Sequence, residues 1–599
     1  MSTIKRRIQG ATNKKAFPSK NAFIGRVFWR VTCGYKQLSA SILSLVVCSV
    51  LSAHAQQVSQ SPTEEAVRQH EIRLQQEQQR HSDELQRQRP PVDIFLQPEQ
   101  QEQTDEEALA AGRCFDIHTI TIEGARYISR DRLDTIGNAY RNRCLNLQDI
   151  NELLKKITTL YYDKGLITSR AFVQPQNLRE GQLAILVVEG KLESLESVDG
   201  NLSKHQLYGA FPVADQQLLN LRDLEQGLEQ LNRLQQNRVE MDLEPGNQPG
   251  DTRVLIRNAQ TGAWHGGMGV NNTGSEATGE WLASGYLSWD NPLSFNDNLY
   301  LSLSEALDSP DGASSRSYAL SYSVPQGYFL YSFSSNYFEY AQRVRGTAVD
   351  FTTSGSSFNT DLGVDYTLIR GQRDKVVLTS SLMRKESKNY LEDVFLETSS
   401  RTLYLIDLGG TYTRFLSQGS LRTTFKWTRS EDWFDATTRL VTAETYYQFD
   451  KYSIDASVNV RLDVFGTPFY YGSNLHLFYS PKPIIASEAL SIGGRYSVRG
   501  IEGESLFGYQ GGYWRNELTY THYFAHRGRL DIFAGLDAGF SDTPERDDRG
   551  TEHLVGSALG VKYILSGLSI DLTYAKALRV PDFLVGKQHG FYAALNFSF

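Results

Sequence analysis

The sequence predicts a membrane β-barrel of about 16 antiparallel strands, preceded by two small α/β units and an N-terminal helix. Three observations carry this. Residues 1–261 hold only 14 of the 68 Phe, Trp and Tyr residues, so aromatic side chains concentrate in residues 262–599. That second region alternates apolar and polar residues with a period of two, the pattern of strands with one apolar face. Between residues 114 and 261 the order β-α-α-β-β occurs twice, with a period of about 70–75 residues.

The first segment reads as an export signal. Nine Lys/Arg and no Asp/Glu precede the apolar run LSASILSLVVCSVL, and Ala53-His54-Ala55 follows it. At 14 residues the run is too short to cross a bilayer as a helix, which needs ~20. Basic, apolar and small residues in that order place cleavage after Ala55, so residues 1–55 are a signal peptide. Without them the chain keeps 52 Lys/Arg against 69 Asp/Glu, a net charge of −17. An acidic exported protein is a poor partner for nucleic acid, and none is expected. Cys33 and Cys48 leave with the signal. Cys114 and Cys144 remain as an even pair in an oxidising compartment and are expected to form a disulfide. Of the other His and Cys residues only His118 lies near, which is short of the four ligands of a structural site, so no metal is expected.

Residues 56–91 form the N-terminal helix. Ser61, Pro62 and Glu64 are a helix start, and Pro90-Pro91 a stop. Between them lie mostly Gln, Glu and Arg, and Ala66, Val67, Ile72, Leu74 and Leu85 make only a thin apolar stripe. A helix this polar has no face to bury in a core. It is either a solvated segment or a plug inside a water-filled channel. The linker 92–113, rich in Gln and Glu, follows.

The first α/β unit spans 114–189. CFDIHTITIEGA reads as one strand and RDRLDTIGNAY as a short helix. A longer helix carries Ile150, Leu153, Ile157, Leu160 and Tyr161 at helical spacing, capped by Asn146 and closed by Gly165. TSRAFVQP and QLAILVVEG are the last two strands. The second unit, 190–261, repeats the order, with Leu221, Leu224, Leu228, Leu231 and Leu234 along one side of its longer helix.

The barrel spans 262–599. In YSIDASVNVRL, Tyr452, Ile454, Ala456, Val458, Val460 and Leu462 share one face, while Ser453, Asp455, Ser457, Asn459 and Arg461 share the other. LSIDLTY sets Leu568, Ile570, Leu572 and Tyr574 against Ser569, Asp571 and Thr573. FYAALNFSF puts Phe591, Ala593, Leu595, Phe597 and Phe599 on one side. Alternation alone also fits a soluble sandwich. Charges on the polar face suit a wet lumen better than a sheet surface, and dense aromatics suit bilayer girdles. At ~20 residues per strand with its turn, 338 residues make about 16 strands. Closure removes the unpaired edges that lipid cannot hydrogen-bond.

A barrel this wide encloses a channel that something must seal. The stretch RYSVRGIEGESLFG lies in a long loop over 486–512. Gly493-Gly494, Gly500 and Gly503 permit tight turns and close backbone approach, so Val498-Arg499-Gly500 is a loop tip able to fold back into the lumen. A buried guanidinium needs a carboxylate in bidentate geometry. Asp537 in DIFAGLDAGF qualifies, because Gly535 and Gly539 beside it leave room on the inner wall. Glu517 in RNEL is the alternative partner.

At these residues the chain resembles the two-partner secretion transporters, the FhaC, ShlB, HecB and CdiB group. The resemblance rests on Gly494-Arg495-Tyr496, Val498-Arg499-Gly500, YWRNEL and the F-x-G-x-D-x-G run at 533–539. DKGLITSRAFVQPQ and GQLAILVVEG resemble the first of that family's two periplasmic POTRA domains. Ile501 departs from the pattern, since the family usually has an aromatic after the Arg-Gly pair.

The resemblance implies an outer-membrane pore, its POTRA domains in the periplasm. They bind the N-terminal secretion domain of a large unfolded partner exoprotein. β-Augmentation on an exposed sheet edge is a natural mode for that. A haemolysin, an adhesin and a contact-dependent inhibition toxin all fit as cargo, and its activation is compatible with the reading. The resemblance also implies a monomer among outer-membrane lipids, inserted by barrel-assembly machinery, with Phe597 and Phe599 as the C-terminal signal. The alternative is an outer-membrane protein assembly factor, a barrel insertase, which shares the Val-Arg-Gly loop. No phosphate-binding loop and no catalytic set of Ser, His and Asp occurs at useful spacing, so neither enzyme activity nor a cofactor is expected.

Overall fold

The structure, a computed structural model, describes residues 114–344, 349–438, 447–524, 528–542 and 550–599. The signal 1–55, the plug helix 56–91 and the linker 92–113 lie outside the described residues.

The first unit contains strands β1 (Cys114–Ile117) and β2 (Thr119–Glu123), helix α1 (Arg130–Asn138), β3 (Arg143–Asn146), helix α2 (Leu147–Tyr162), β4 (Arg170–Val173) and β5 (Gln182–Val188). Its first strand is not continuous. The N–H groups of His118 and Thr119 both donate to Gly181 O, which breaks the run between β1 and β2. β2 then joins the main sheet, parallel to β5, while β4 pairs antiparallel with β5. β1 turns aside and pairs with β3, a strand the sequence does not announce. Cys114 and Cys144 are disulfide-bonded across this ribbon, with Cα atoms 5.2 Å apart. A link across 30 residues of chain restricts the unfolded state, a stabilisation of about 3–4 kcal/mol in the chain-entropy picture. Asn146 and Asp149 form a reciprocal capping box at the start of α2. The buried side chains of Leu153, Ile157 and Tyr161 pack α2 on the sheet.

The second unit repeats this plan without the extra ribbon. It contains β6 (Lys191–Ser197), helices α3 (Lys204–Ala210) and α4 (Leu221–Asn232), β7 (Val239–Pro245) and β8 (Asp251–Asn258). β6 runs parallel to β8, and β7 antiparallel to it. Leu224, Leu228 and Leu231 of α4 pack on Leu192, Val254 and Ile256.

The remaining chain is a closed antiparallel barrel. Its first strands are β9 (Trp264–Asn271), β10 (Leu282–Asp290), β11 (Asn298–Ala306), β12 (Ser314–Gln326), β13 (Phe329–Val344), β14 (Phe351–Arg370) and β15 (Asp374–Leu391). A two-residue piece, β16 (Val394–Phe395), folds back on β15 outside the wall count. The wall continues with β17 (Arg401–Leu416), β18 (Gly419–Glu431), β19 (Asp450–Val464) and β20 (Thr467–Tyr479). Among the described residues two short strands, β21 (Leu490–Ile492) and β22 (Leu506–Gly508), pair only with each other. β23 (Gln510–Phe524), β24 (Gly528–Asp542), β25 (Thr551–Leu565), β26 (Leu568–Arg579) and β27 (His589–Ser598) complete sixteen wall strands among the described residues. β27 closes on β9, from Ala594 opposite Asn271 to Ser598 opposite Gly267.

The alternation read from the sequence sorts onto the two faces of this wall. Leu301, Leu303, Ile570, Leu572, Tyr574, Leu595 and Phe597 are exposed on the outside, where lipid covers them. On the inside, Asp455 hydrogen-bonds His476 across β19 and β20 at 2.7 Å.

Candidate functional site

The loop from β20 to β23 does not project outward. β21 and β22 form a small ribbon, and residues 493–505 between them make its tip. Four glycines with left-handed backbone shape that tip: Gly493 (φ 136°), Gly494 (φ 88°), Gly500 (φ 102°) and Gly503 (φ 81°).

Arg499 lies at the centre, 3% exposed. Its Nε donates to Asp537 Oδ2 at 2.7 Å and its Nη2 to Asp537 Oδ1 at 2.9 Å, a bidentate pair. The Arg499 backbone N–H also reaches Oδ2, at 3.2 Å. The guanidinium's other end donates from Nη1 to Glu517 Oε2 at 3.0 Å and from Nη2 to Asn516 O at 3.4 Å. Asp537 and Glu517 therefore both hold the cation, and they are not alternatives. Asp537 is wholly buried, whereas the Glu517 side chain is 39% exposed. The Phe533 ring centroid stands 6.0 Å from Arg499 Cζ.

Glycines in the wall make this approach possible. A Cβ on Gly535 would come within 2.1 Å of Arg499 Nη2, and one on Gly556 within 1.8 Å of Arg499 O. Gly500 lies equally close to β26, where a Cβ would meet Lys576 C at 2.3 Å. Val498 and Ile501 are fully buried among Ile492, Leu506, Leu554 and Leu584. Ile501 thus fills the position after the Arg-Gly pair with aliphatic packing. Arg515, opposite Asp537 in register, donates to Arg495 O at 3.1 Å and ties the tip to β23.

The other sequence-predicted residues lie elsewhere. Phe597 and Phe599 are exposed at the end of the closing strand, their ring centroids 6.3 Å apart. The Phe599 ring covers Gly266, whose Cβ would meet it at 2.6 Å. Cys114 and Cys144 belong to the first α/β unit.

Two sets of residues carried no sequence signal. One is the polar face of α4, which reads as solvated but docks on the short turns of the barrel. Gln226 and Gln230 both donate to Gly327 O, at 3.2 and 3.1 Å. Arg233 donates to Ser323 Oγ at 2.8 Å and to Asn296 O at 2.5 Å. Glu229 pairs with Arg370 at 2.5 Å and with Lys375. Burial works to raise the Glu229 carboxyl, but Lys375 and Arg370 outweigh it and hold its pKa down to about 2, from an ordinary 4.5. A depressed carboxyl stabilises the docked arrangement above its unfolded value and loses that contribution as pH falls through the folded one. Docking of the second unit is therefore expected to hold from pH 7 to about 4.5 and to loosen from there towards pH 2. Spin-label distances between α4 and β15 check this. Glu229→Gln should broaden them already at pH 7, and an unchanged distance at pH 7 would remove Glu229 from the interface energetics.

The second silent set is Glu488, Lys385 and Lys451. Glu488 Oε1 accepts from Lys385 Nζ at 2.8 Å and Oε2 from Lys451 Nζ at 2.6 Å.

The chain is similar to known proteins in sequence and fold. The family described as "Haemolysin secretion/activation protein ShlB/FhaC/HecB" matches residues 250–563. "POTRA domain, ShlB-type" matches 115–190, and a further POTRA domain matches 191–245. The Escherichia coli protein "Outer membrane transporter CdiB" is 31% identical over 522 residues, 85% of this chain and 87% of its own. "Hemolysin transporter protein ShlB" of Serratia marcescens is 28% identical over 467 residues, 78% of this chain and 82% of its own. The solved structure of CdiB from Escherichia coli superposes with a TM-score of 0.81 at 28% identity, covering 90% of this chain and all of that one. Two POTRA domains followed by a sixteen-stranded outer-membrane barrel, its loop turned inward onto Asp537, make this chain a member of the haemolysin secretion/activation family of ShlB, FhaC and HecB.

Proposed function

We propose that this outer-membrane transporter takes one large secreted partner, unfolded, from the periplasm and passes it outward through its own barrel. The observation that carries the reading is a closed barrel whose inner wall is built to receive its own loop. Glycines clear the space, and two carboxylates neutralise the arriving cation. A passive porin would leave the two POTRA domains unexplained. The POTRA domains bind the partner's N-terminal secretion domain. Among the described residues β4 and β7 each pair on one side only, and Phe172 on β4 is exposed, so an extended segment has an edge to extend. The similar transporters carry contact-dependent inhibition and haemolysin names, and a partner of either kind fits here, activated or only exported. In this reading the helix of residues 56–91 plugs the lumen at rest. Phe597 and Phe599 address the chain to the barrel-assembly machinery, and a monomer suffices.

The test is a strain lacking this chain. A large exoprotein with an N-terminal secretion domain should vanish from the medium and return when the chain is supplied in trans. Normal export, with a loss of other outer-membrane barrels instead, would move the assignment to an assembly factor.

A further inference from the structure

The inward loop has a second buried charge cluster, of opposite sense to the first. At the tip a loop cation meets wall carboxylates. At the base a loop anion meets wall ammonium groups. The Glu488 side chain is 1% exposed, and each of its oxygens takes one lysine. Lys385 comes from β15 and Lys451 from β19, while Asp537 and Glu517 come from β24 and β23. The two ends of the loop therefore hold different stretches of wall.

Apolar packing follows the same division. Ile484, Ile485, Ala486, Phe507 and Tyr509 pack with Leu403, Leu405, Tyr447 and Phe449. The cluster around Val498 and Ile501 takes in Leu490, Ile492 and Leu506 of the ribbon and Leu554 of β25, and only Phe478 borders both clusters among the described residues. Backbone freedom is divided as well. All four left-handed glycines of the loop fall between 493 and 503, and residues 480–492 contain no glycine. Glu488 sits in a short helical turn whose amides are bonded, Glu488 N–H to Ile485 O at 3.0 Å and Ala489 N–H to Ala486 O at 3.3 Å. Hinges belong at glycines and not in a turn pinned by a buried ion triad.

We propose that Glu488 is a positioning residue: it fastens the base of the loop to β15 and β19, so that only the tip beyond Gly493 moves when the Arg499 pair opens. This rests on the lock reading of Arg499 given above. A loop fastened at its base re-docks from a short search, and the lumen is never left to a freely swinging thirty-residue segment.

The test is hydrogen–deuterium exchange on the full mature chain in detergent, read in peptides covering 484–492 and 495–503. Arg499→Ala should speed exchange of the tip peptide about tenfold or more, and change the base peptide by less than about twofold. Glu488→Gln should speed the base peptide about tenfold. The inverted triad, Glu488→Lys with Lys385→Glu and Lys451→Glu, should return it to the native rate, which general damage to packing would not allow. Should Glu488→Gln fail to insert, Lys451→Met leaves Lys385 to neutralise the carboxylate and should give an intermediate rate. Three results would overturn the inference. The base peptide could accelerate as much as the tip in Arg499→Ala, it could keep its protection in both Glu488→Gln and Lys451→Met, or the inverted triad could fail to restore it. Export separates this inference from the lock: normal export from Arg499→Ala would refute the lock and leave the exchange result at Glu488 standing.

Discussion

Arg499→Ala is expected to cut export of the partner at least about a hundredfold, while the amount of folded, heat-modifiable barrel in the outer membrane stays unchanged. The magnitude follows from what the substitution leaves behind. Asp537 has no solvent exposure and keeps only the 3.2 Å bond from the residue 499 backbone. Removing one partner of a buried ion pair strands the other charge, at a cost of about 3–5 kcal/mol. Each 1.4 kcal/mol is about a factor of ten in an equilibrium, so the docked tip becomes a minor state. The barrel survives because the wall ladders pass through neither side chain. The order of effects is also set by burial. Asp537→Ala should match Arg499→Ala, whereas Glu517→Ala should cost far less, because Glu517 gives one bond and faces water. Exchanging the residues, Arg499→Asp with Asp537→Arg, should recover only part of the export, since the new aspartate faces Glu517. Normal cargo levels in the medium from Arg499→Ala would refute the lock.

Gly556→Val should stop export just as fully without altering a charge. Its inward position lies 1.8 Å, Cβ to oxygen, from Arg499 O, a gap no side chain fits. A β-branched residue suits the strand itself, so β25 keeps its pairing with β24 and β26. The tip alone is displaced. Cysteine accessibility at Ser497, buried in the docked loop, reads this directly: a membrane-impermeant maleimide should label Ser497→Cys in the Gly556→Val background and not in the parent. Export at the parental level from Gly556→Val would mean that the tip need not dock at all.

Much of this was legible in the chain, for physical reasons. A wall with lipid outside and water inside imposes a strict period of two, so Ile570, Leu572 and Leu595 declare their face. A cation that must reach a wall needs glycines around it and opposite it, so Arg499 and Asp537 stand out by their neighbours. Glu488 has no such neighbours. Its lysines are 103 and 37 residues away, and each is an ordinary strand residue of the polar face. The polar side of α4 misled for a related reason. Gln226 and Gln230 look solvated, and only the turn at Gly327 of another domain, about a hundred residues downstream, shows that they are covered. Likewise His118 gives no local sign that Gly181 O will interrupt its strand.

The seam between β27 and β9 sets the timetable of assembly. Asn272 and Ala593, beside it, are 321 residues apart, so β9 emerges from the ribosome long before the strand that covers its free side exists. Intermediate arcs of two, eight or fourteen strands cannot close on themselves and present raw ladder groups that hydrocarbon will not solvate. Nearest-neighbour hairpins can form early, but the cylinder becomes a cylinder in a single late event, and until then the growing sheet has to be kept out of contact with other sheets like it.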